Sequence, residues 1–245
     1  MYEMKHRVRY SEISPDKHID IEQVVKYFQD CSTFDSDNIG QGLDYLEKAG
    51  YVWLLAAWQV EVTRYPSMGE EIIIATWPHD TKGILAYRNF EIRDLAGNRL
   101  VAANSIWFYM NRKTGIPKKL VEDDVKAYGC KEKLPIKYKS RKIKLPDENG
   151  CKKEDFPVKK ADLDTNGHVN NARYIEMALE YIEEESSIIS MRADYRKSAV
   201  LGDRIYPVIF HKAEYTYIEL SNSEGEPYVL IEFEIAKKAE REDRK

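Results

Sequence analysis

The chain is predicted to be an α+β protein in which one unit, an antiparallel sheet curved around a single helix, occurs twice in tandem. Three observations predict this. A segment near the N-terminus recurs 150 positions later. Each copy reads as one amphipathic helix followed by three or four long strand-like runs. Those runs, among them 71–77, 100–108 and 228–235, are rich in Val, Ile, Tyr, Phe and Trp.

The elements follow in order. Residues 7–13 read as a short strand of mixed polarity. Asp20 and Gln23 make a capping-box pair, and Val24, Val25 and Phe28 recur at i, i+1 and i+4, which predicts a helix from about Asp20 onward. Shifted by 150, His18 meets His168, Ile19 meets Val169, Val24 and Val25 meet Tyr174 and Ile175, and Phe28 meets Ala178. The string V-T-R-Y-P-S-M-G-E (62–70) lies over Y-R-K-S-A-V-L-G-D (195–203). Asp94 to Asn98 lies over Asn222 to Glu226, each as a hairpin turn between strands.

The expected organisation is an N-terminal unit over 1–125, a linker over 126–160 and a C-terminal unit over 161–245. The linker carries twelve Lys or Arg against five Asp or Glu. Pro135, Pro146 and Pro157 make it extended rather than helical. Lys-rich connectors are commonly just solvated; the functional alternative is an electrostatic landing strip for an acidic partner. The mixed charge run from Lys237 to Lys245 is expected to fray.

Composition excludes several classes. With 245 residues, a net charge of −4, 43% hydrophobic and 33% charged residues, the chain reads as an ordinary globular protein and not a nucleic-acid binder. Cys31, Cys130 and Cys151 have no C-x-x-C spacing, which fits a reducing compartment and argues against a zinc or disulfide framework. The apolar run Tyr51 to Trp58 is far too short to span a bilayer. The first ten residues lack the apolar core of a signal peptide. A cytoplasmic protein without membrane insertion is expected. No H-E-x-x-H and no Gly-rich phosphate loop occurs, so neither a metal nor a cofactor is expected.

The chemistry concentrates in A-D-L-D-T-N-G-H-V-N-N-A-R-Y-I-E-M-A-L-E-Y (161–181). A carboxylate (Asp164), an amide (Asn166) and an imidazole (His168) fall within five residues, with Gly167 free to turn the backbone between them. Tyr174, Ile175, Ala178, Leu179 and Ile182 continue as a helical stripe, so the polar cluster stands at the mouth of a helix. Asp, Asn and Thr also collect before helices merely to cap them. The functional alternative is acyl hydrolysis: Asp164 attacks the carbonyl carbon directly or deprotonates a water, Asn166 holds the carboxylate or the water, His168 moves a proton, and backbone N–H groups of Gly167 to Val169 receive an oxyanion. In the first copy Ser14, Asp16 and His18 stand at the equivalent positions, with no carboxylate at the first of them. That half is expected to bind rather than to catalyse. Trp53, Leu54, Leu55, Trp58 and Trp77 are candidates for an acyl-chain pocket, or plain core.

D-L-D-T-N-G-H-V-N-N-A-R-Y (162–174) strongly resembles the active-site segment of the acyl-acyl carrier protein thioesterases, the plant-plastid and bacterial family of double hotdog proteins. Y-F-Q-D-C-S-T-F-D-S-D (27–37), W-Q-V-E-V-T-R-Y-P (58–66), T-W-P (76–78) and Y-R-N-F (87–90) look like its first-domain signatures, and the resemblance runs from about Arg7 to Ile235. It implies a hotdog fold in each half, hydrolysis of fatty acyl thioesters of acyl carrier protein, no cofactor, and catalytic roles for Asp164, Asn166 and His168. The family usually has a Glu on the strand after the central helix; here Ser198 stands in that place, followed by Ala199. Ser198 would then hold a water, or Asp194 on the same strand face would supply charge. The competing expectations are an acyl-coenzyme A thioesterase and a non-catalytic acyl-chain binder. A homodimer is compatible with the sequence.

Overall fold

Strand-like stretches and amphipathic stripes resolve into two units, Met1–Lys139 and Ser140–Lys245, in the computed structural model, which describes residues 1–183 and 186–237. The N-terminal unit contains β1 (Tyr2–Arg7), α1 (Ile21–Asn38), α2 (Leu43–Ala49), β2 (Tyr51–Val62), β3 (Glu71–Lys82), β4 (Leu85–Asp94), β5 (Arg99–Asn111) and α3 (Glu122–Lys126). Its strands lie in the order β1-β3-β4-β5-β2, every pair antiparallel. The expected strand over 7–13 is a correction: pairing stops at Arg7, and Tyr10–Glu12 form a helical turn closed by Glu12, which accepts from the Arg9 N–H at 2.7 Å.

Helix α1 starts where its cap predicts. Asp20 accepts from the Gln23 N–H at 2.8 Å. Val24, Val25, Phe28 and Cys31 are buried, and the Phe28 ring meets Phe90 at 5.0 Å and Trp58 at 5.9 Å. The stripe continues to a charge, Asp35. It tolerates burial because Arg88 on β4 donates to it at 2.6 Å and also to Thr76 on β3 at 3.1 Å.

The C-terminal unit contains β6 (Cys151–Lys152), β7 (Phe156–Pro157), α4 (Asn171–Leu179), β8 (Ser186–Tyr195), β9 (Arg204–Lys212), β10 (Tyr215–Ser221) and β11 (Pro227–Lys237). The order is β8-β11-β10-β9-β6, with β7 also on β9, again antiparallel. Helix α4 turns Ala172, Tyr174, Ile175 and Ala178 into the core and packs on β10 and β11. It is shorter than its stripe, because Ile182 lies past its end. Each unit is a hotdog, and the chain is a double hotdog of the α+β class.

The segment over 126–160 is extended, but it is not a free spacer. In the N-terminal unit it straps the sheet face opposite α1. Lys131 N–H donates to the Pro78 carbonyl on β3 at 3.0 Å, and Leu134 N–H to the Asn89 side chain on β4 at 3.0 Å. The Gln59 amide on β2 donates to the Lys137 carbonyl at 2.8 Å. Leu134 is buried against Ala75, Trp77 and Ala102. In the C-terminal unit Arg192 on β8 donates to the carbonyls of Ser140 and Lys142, and Ile143 is buried. Main-chain groups that a solvated linker would give to water are thus held by sheet side chains. The run expected to fray lies, from 238 on, outside the described residues. Among the described residues no helix is long and apolar enough to cross a membrane, and no group of His, Cys, Asp or Glu converges as metal ligands would.

Candidate active site

The polar cluster of the C-terminal unit occupies a tight hairpin placed just before α4. Leu163 pairs with Val169, the Asp164 N–H donates to the His168 carbonyl at 2.7 Å, and the Gly167 N–H donates back to the Asp164 carbonyl at 3.1 Å. Closing so short a turn needs a left-handed residue, and Gly167 supplies it at φ 76°. The Asp164 carboxylate completes the turn. Its Oδ1 accepts from the Asn166 N–H at 2.8 Å and the His168 N–H at 3.2 Å, while the Asn166 amide stands 3.5 Å from Oδ2. Asp164 and His168 are half-buried and Asn166 is exposed. The His168 imidazole makes no hydrogen bond among the described residues.

None of the three caps the helix. That role belongs to Asn170, whose side chain accepts from the Ala172 N–H at 2.9 Å. Asp162, buried one residue before the hairpin, anchors it instead. It accepts from the Lys159 N–H at 2.7 Å and from Arg173 on α4 at 3.0 Å. The expected backbone oxyanion hole over Gly167 to Val169 is a correction. All three N–H groups are engaged: Gly167 to the Asp164 carbonyl, His168 to the Asp164 carboxylate, and Val169 to the Ala199 carbonyl at 2.9 Å.

That last bond brings in the segment after β8. The strand ends at Tyr195, so Ser198 is not on a strand as expected; it is exposed on a loop whose next residues pair with the hairpin, Ala199 with Val169 and Val200 with His168. The loop is tied to the helix as well, because the Ala199 N–H donates to the Tyr174 hydroxyl at 2.8 Å. Burial pushes the Tyr174 hydroxyl well above the ordinary tyrosine range, so it stays a neutral hydroxyl at this junction. The turn Val200 to Asp203 closes on the Asp203 carboxylate, which accepts from the Val200 N–H and the Tyr228 hydroxyl, each at 3.0 Å. Asp194 is buried on β8 and committed to arginines, with Arg196 at 3.2 Å and Arg141 at 3.9 Å.

The first copy repeats the construction bond for bond. Ser14 N–H donates to the His18 carbonyl at 2.8 Å, Lys17 N–H to Ser14 at 2.9 Å, and Ile19 N–H to Pro66 at 3.1 Å, while His18 pairs with Ser67. The side chains differ. Ser14 turns to the capping Asp20 at 3.3 Å, and the Asp16 carboxylate accepts from the His18 N–H at 3.1 Å. At the position of half-buried Asp164 this copy has a serine, and Asp16 is exposed.

The acyl-pocket candidates divide. Trp58 joins Phe28 and Phe90 beneath α1, Leu55 is buried opposite Trp107 in register, and half-buried Trp53 packs its ring 4.6 Å from Tyr109. Leu54, one position along β2, is half-buried. Trp77 is on the other face, under Leu134 and Ile136, where its indole N–H donates to the Glu132 carbonyl at 2.8 Å. The structure does not bring it to the others, because Thr76, not Trp77, points toward Arg88 and α1. Sequence reasoning passed over Tyr174 hydroxyl, Asp162, Asn170 and Asp203. Asp203 alone had a signal, its alignment with Glu70 after a glycine.

The chain is similar to known proteins over most of its length. The pattern of the family described as Acyl-ACP thioesterase N-terminal domain matches residues 1–128, and that of the Acyl-ACP thioesterase C-terminal domain matches 146–236. An oleoyl-acyl carrier protein thioesterase of Coriandrum sativum is 28% identical over 227 residues, covering 82% of this chain and 60% of the relative. A palmitoyl-acyl carrier protein thioesterase of Arabidopsis thaliana is 26% identical, covering 80% and 52%. The chain thus spans between half and two thirds of the length of these curated relatives. The structure of an acyl-ACP thioesterase from Bacteroides thetaiotaomicron superposes with a TM-score of 0.85 at 21% identity over 96% of this chain and 97% of that one. The 12:0-ACP thioesterase of Umbellularia californica gives 0.84 at 21% identity, with 97% of each chain covered.

Proposed function

Because the chain belongs to the acyl-ACP thioesterase family, we propose that it hydrolyses the thioester joining a fatty acyl chain to acyl carrier protein and so releases the free fatty acid that ends fatty acid synthesis. The observation that carries the reading is the hairpin Asp164 to His168, a half-buried carboxylate beside an amide and an unbonded imidazole, on a chain matched by both family domains.

We assign Asp164 the part of general base. Its Oδ1 is held by two backbone N–H groups, which leaves Oδ2 to take a proton from water as the water oxygen attacks the carbonyl carbon. With the backbone donors of the turn engaged, the oxyanion falls to side-chain donors, the Asn166 amide and the His168 imidazole. The C–S bond then breaks, and the departing thiolate takes a proton, for which the His168 imidazole, two residues from Asn166 on the same hairpin, is the donor. Ser198 takes the lesser part of holding water. Trp53, Leu55 and Trp58, on the α1 side of the N-terminal sheet, receive the acyl chain, and Trp77 anchors the strap instead.

The test is thiol release from acyl-ACP and from acyl-coenzyme A across chain lengths. Release from acyl-ACP at the higher kcat/KM is the expected result. Release from neither thioester at any length would overturn the reading in favour of a non-catalytic binder.

A further inference from the structure

Three segments that are distant in sequence meet beside the Asp164 hairpin. Val200 pairs with His168, Asp203 closes a turn back to Val200, and the Val158 N–H donates to the Asp203 carbonyl at 2.9 Å. Lys159 and Lys160 follow directly and are exposed. Val200 and Leu201, at the tip of the turn, leave 41% and 50% of their surface to solvent, although two apolar side chains at a turn tip have no part in the core.

The charges around the patch are unequal. Four acids near it are answered: Asp155 by Arg204, Asp162 by Arg173, Glu226 by Lys197, and Asp203 by the Val200 N–H and the Tyr228 hydroxyl. Lys159 and Lys160 have no ion partner among the described residues. Two uncompensated cations next to two exposed aliphatic side chains, joined by backbone hydrogen bonds to the hairpin, make a rim that is both electrostatic and apolar. Charge of this kind steers an oppositely charged partner and fixes its register, while the apolar contact resists dissociation.

We propose that Lys159, Lys160, Val200 and Leu201 form the docking rim for the acidic face of the carrier protein that presents the thioester. This rests on the reading of the protein as an acyl-ACP hydrolase and names the surface by which that site receives its substrate. The rim adjoins the reacting residues through the pairing of Val200 with His168, so a carrier seated on it delivers its acyl arm at Asp164.

The experiment compares the full chain with Lys159→Glu/Lys160→Glu and, separately, Leu201→Ser. For each, KM and kcat are measured on acyl-ACP and on the same acyl group carried by N-acetylcysteamine, which has neither charge nor protein. Binding of holo-carrier protein is measured in parallel. The charge reversal is expected to raise KM for acyl-ACP roughly tenfold and to flatten its dependence on salt, with the small thioester's kinetics moving far less. Leu201→Ser is expected to raise the same KM several-fold at any salt. An unchanged KM for acyl-ACP in both variants, with the parent active, would overturn the rim and leave the hydrolase reading standing. Equal losses on both thioesters would overturn it too, since the residues would then act on the reaction. A parent inactive on every thioester would sink the hydrolase reading alone, and carrier binding that the charge reversal abolishes would still support the rim.

Discussion

Asp164 has two duties that can be separated by one substitution. Its Oδ1 closes the hairpin, a task an amide oxygen performs equally well, while proton abstraction needs the ionised acid. Asp164→Asn is therefore expected to keep its melting temperature and lose about a hundredfold or more in kcat. Ser198→Ala, on an exposed loop, is expected to lose less than about tenfold. A thiol-release assay and a thermal melt on each purified variant check both. Glu70, the equivalent of Asp203 in the first copy, is expected to make stability depend on pH. The bidentate bond from Arg64, at 2.9 and 2.6 Å, holds the Glu70 carboxyl below the usual carboxylate range against an opposing burial effect, and the Ser67 N–H adds to the lowering. A depressed carboxylate pKa stabilises the fold above the unfolded value and is lost as pH falls through the folded one. Glu70→Gln is thus expected to cost about 1 kcal/mol at neutral pH, with the difference closing as pH falls below the ordinary carboxylate range, as urea titrations across that range would show.

Two elements recur with their hydrogen bonds, and comparing the copies isolates single contributions. The hairpin needs a left-handed residue at its third turn position: Gly167 at φ 76° in one copy, Lys17 at φ 67° in the other. No atom crowds a Cβ at Gly167, so the cost of a side chain there is conformational alone. Lys17→Gly is expected to raise stability by about 1 kcal/mol and Gly167→Ala to lower it by about as much, both read from denaturant midpoints. The turns Asp94 to Asn98 and Asn222 to Glu226 also match, each closed by an N–H to carbonyl bond of 3.0 Å. These elements were legible because they are local: a glycine, a cap or an alternating run is written within a few residues. The 196–199 stretch was not, since the end of β8 at Tyr195 depends on where β11 stops pairing with it. The oxyanion reading failed for a related reason. The Val169 N–H is taken by Ala199, thirty residues away, and the Gly167 and His168 N–H groups by Asp164 itself once the turn closes.

For the molecule as a whole, the repeat at 150 positions carried the architecture, because two helices with the same stripe and cap must each find a sheet to bury that stripe. What it could not carry was the strap. Its Lys and Pro content reads as a solvated linker, yet Leu134, Ile136 and Tyr138 alternate inward while Lys131, Lys133 and Lys137 stay exposed. Covering Ala75, Trp77 and Ala102 is long-range packing without a local signature. If the strap is part of the core, Leu134→Ala should cost about 2–3 kcal/mol in chemical denaturation, whereas a solvated linker would lose almost nothing.

The central claim is that an acid on the second hairpin drives hydrolysis of a carrier-borne fatty thioester. Single-turnover thiol release from acyl-ACP, parent against Asp164→Asn at equal folded fraction, tests it most directly. The account predicts rapid release by the parent and a rate lower by about two orders of magnitude in the variant; equal rates in the two proteins would contradict it.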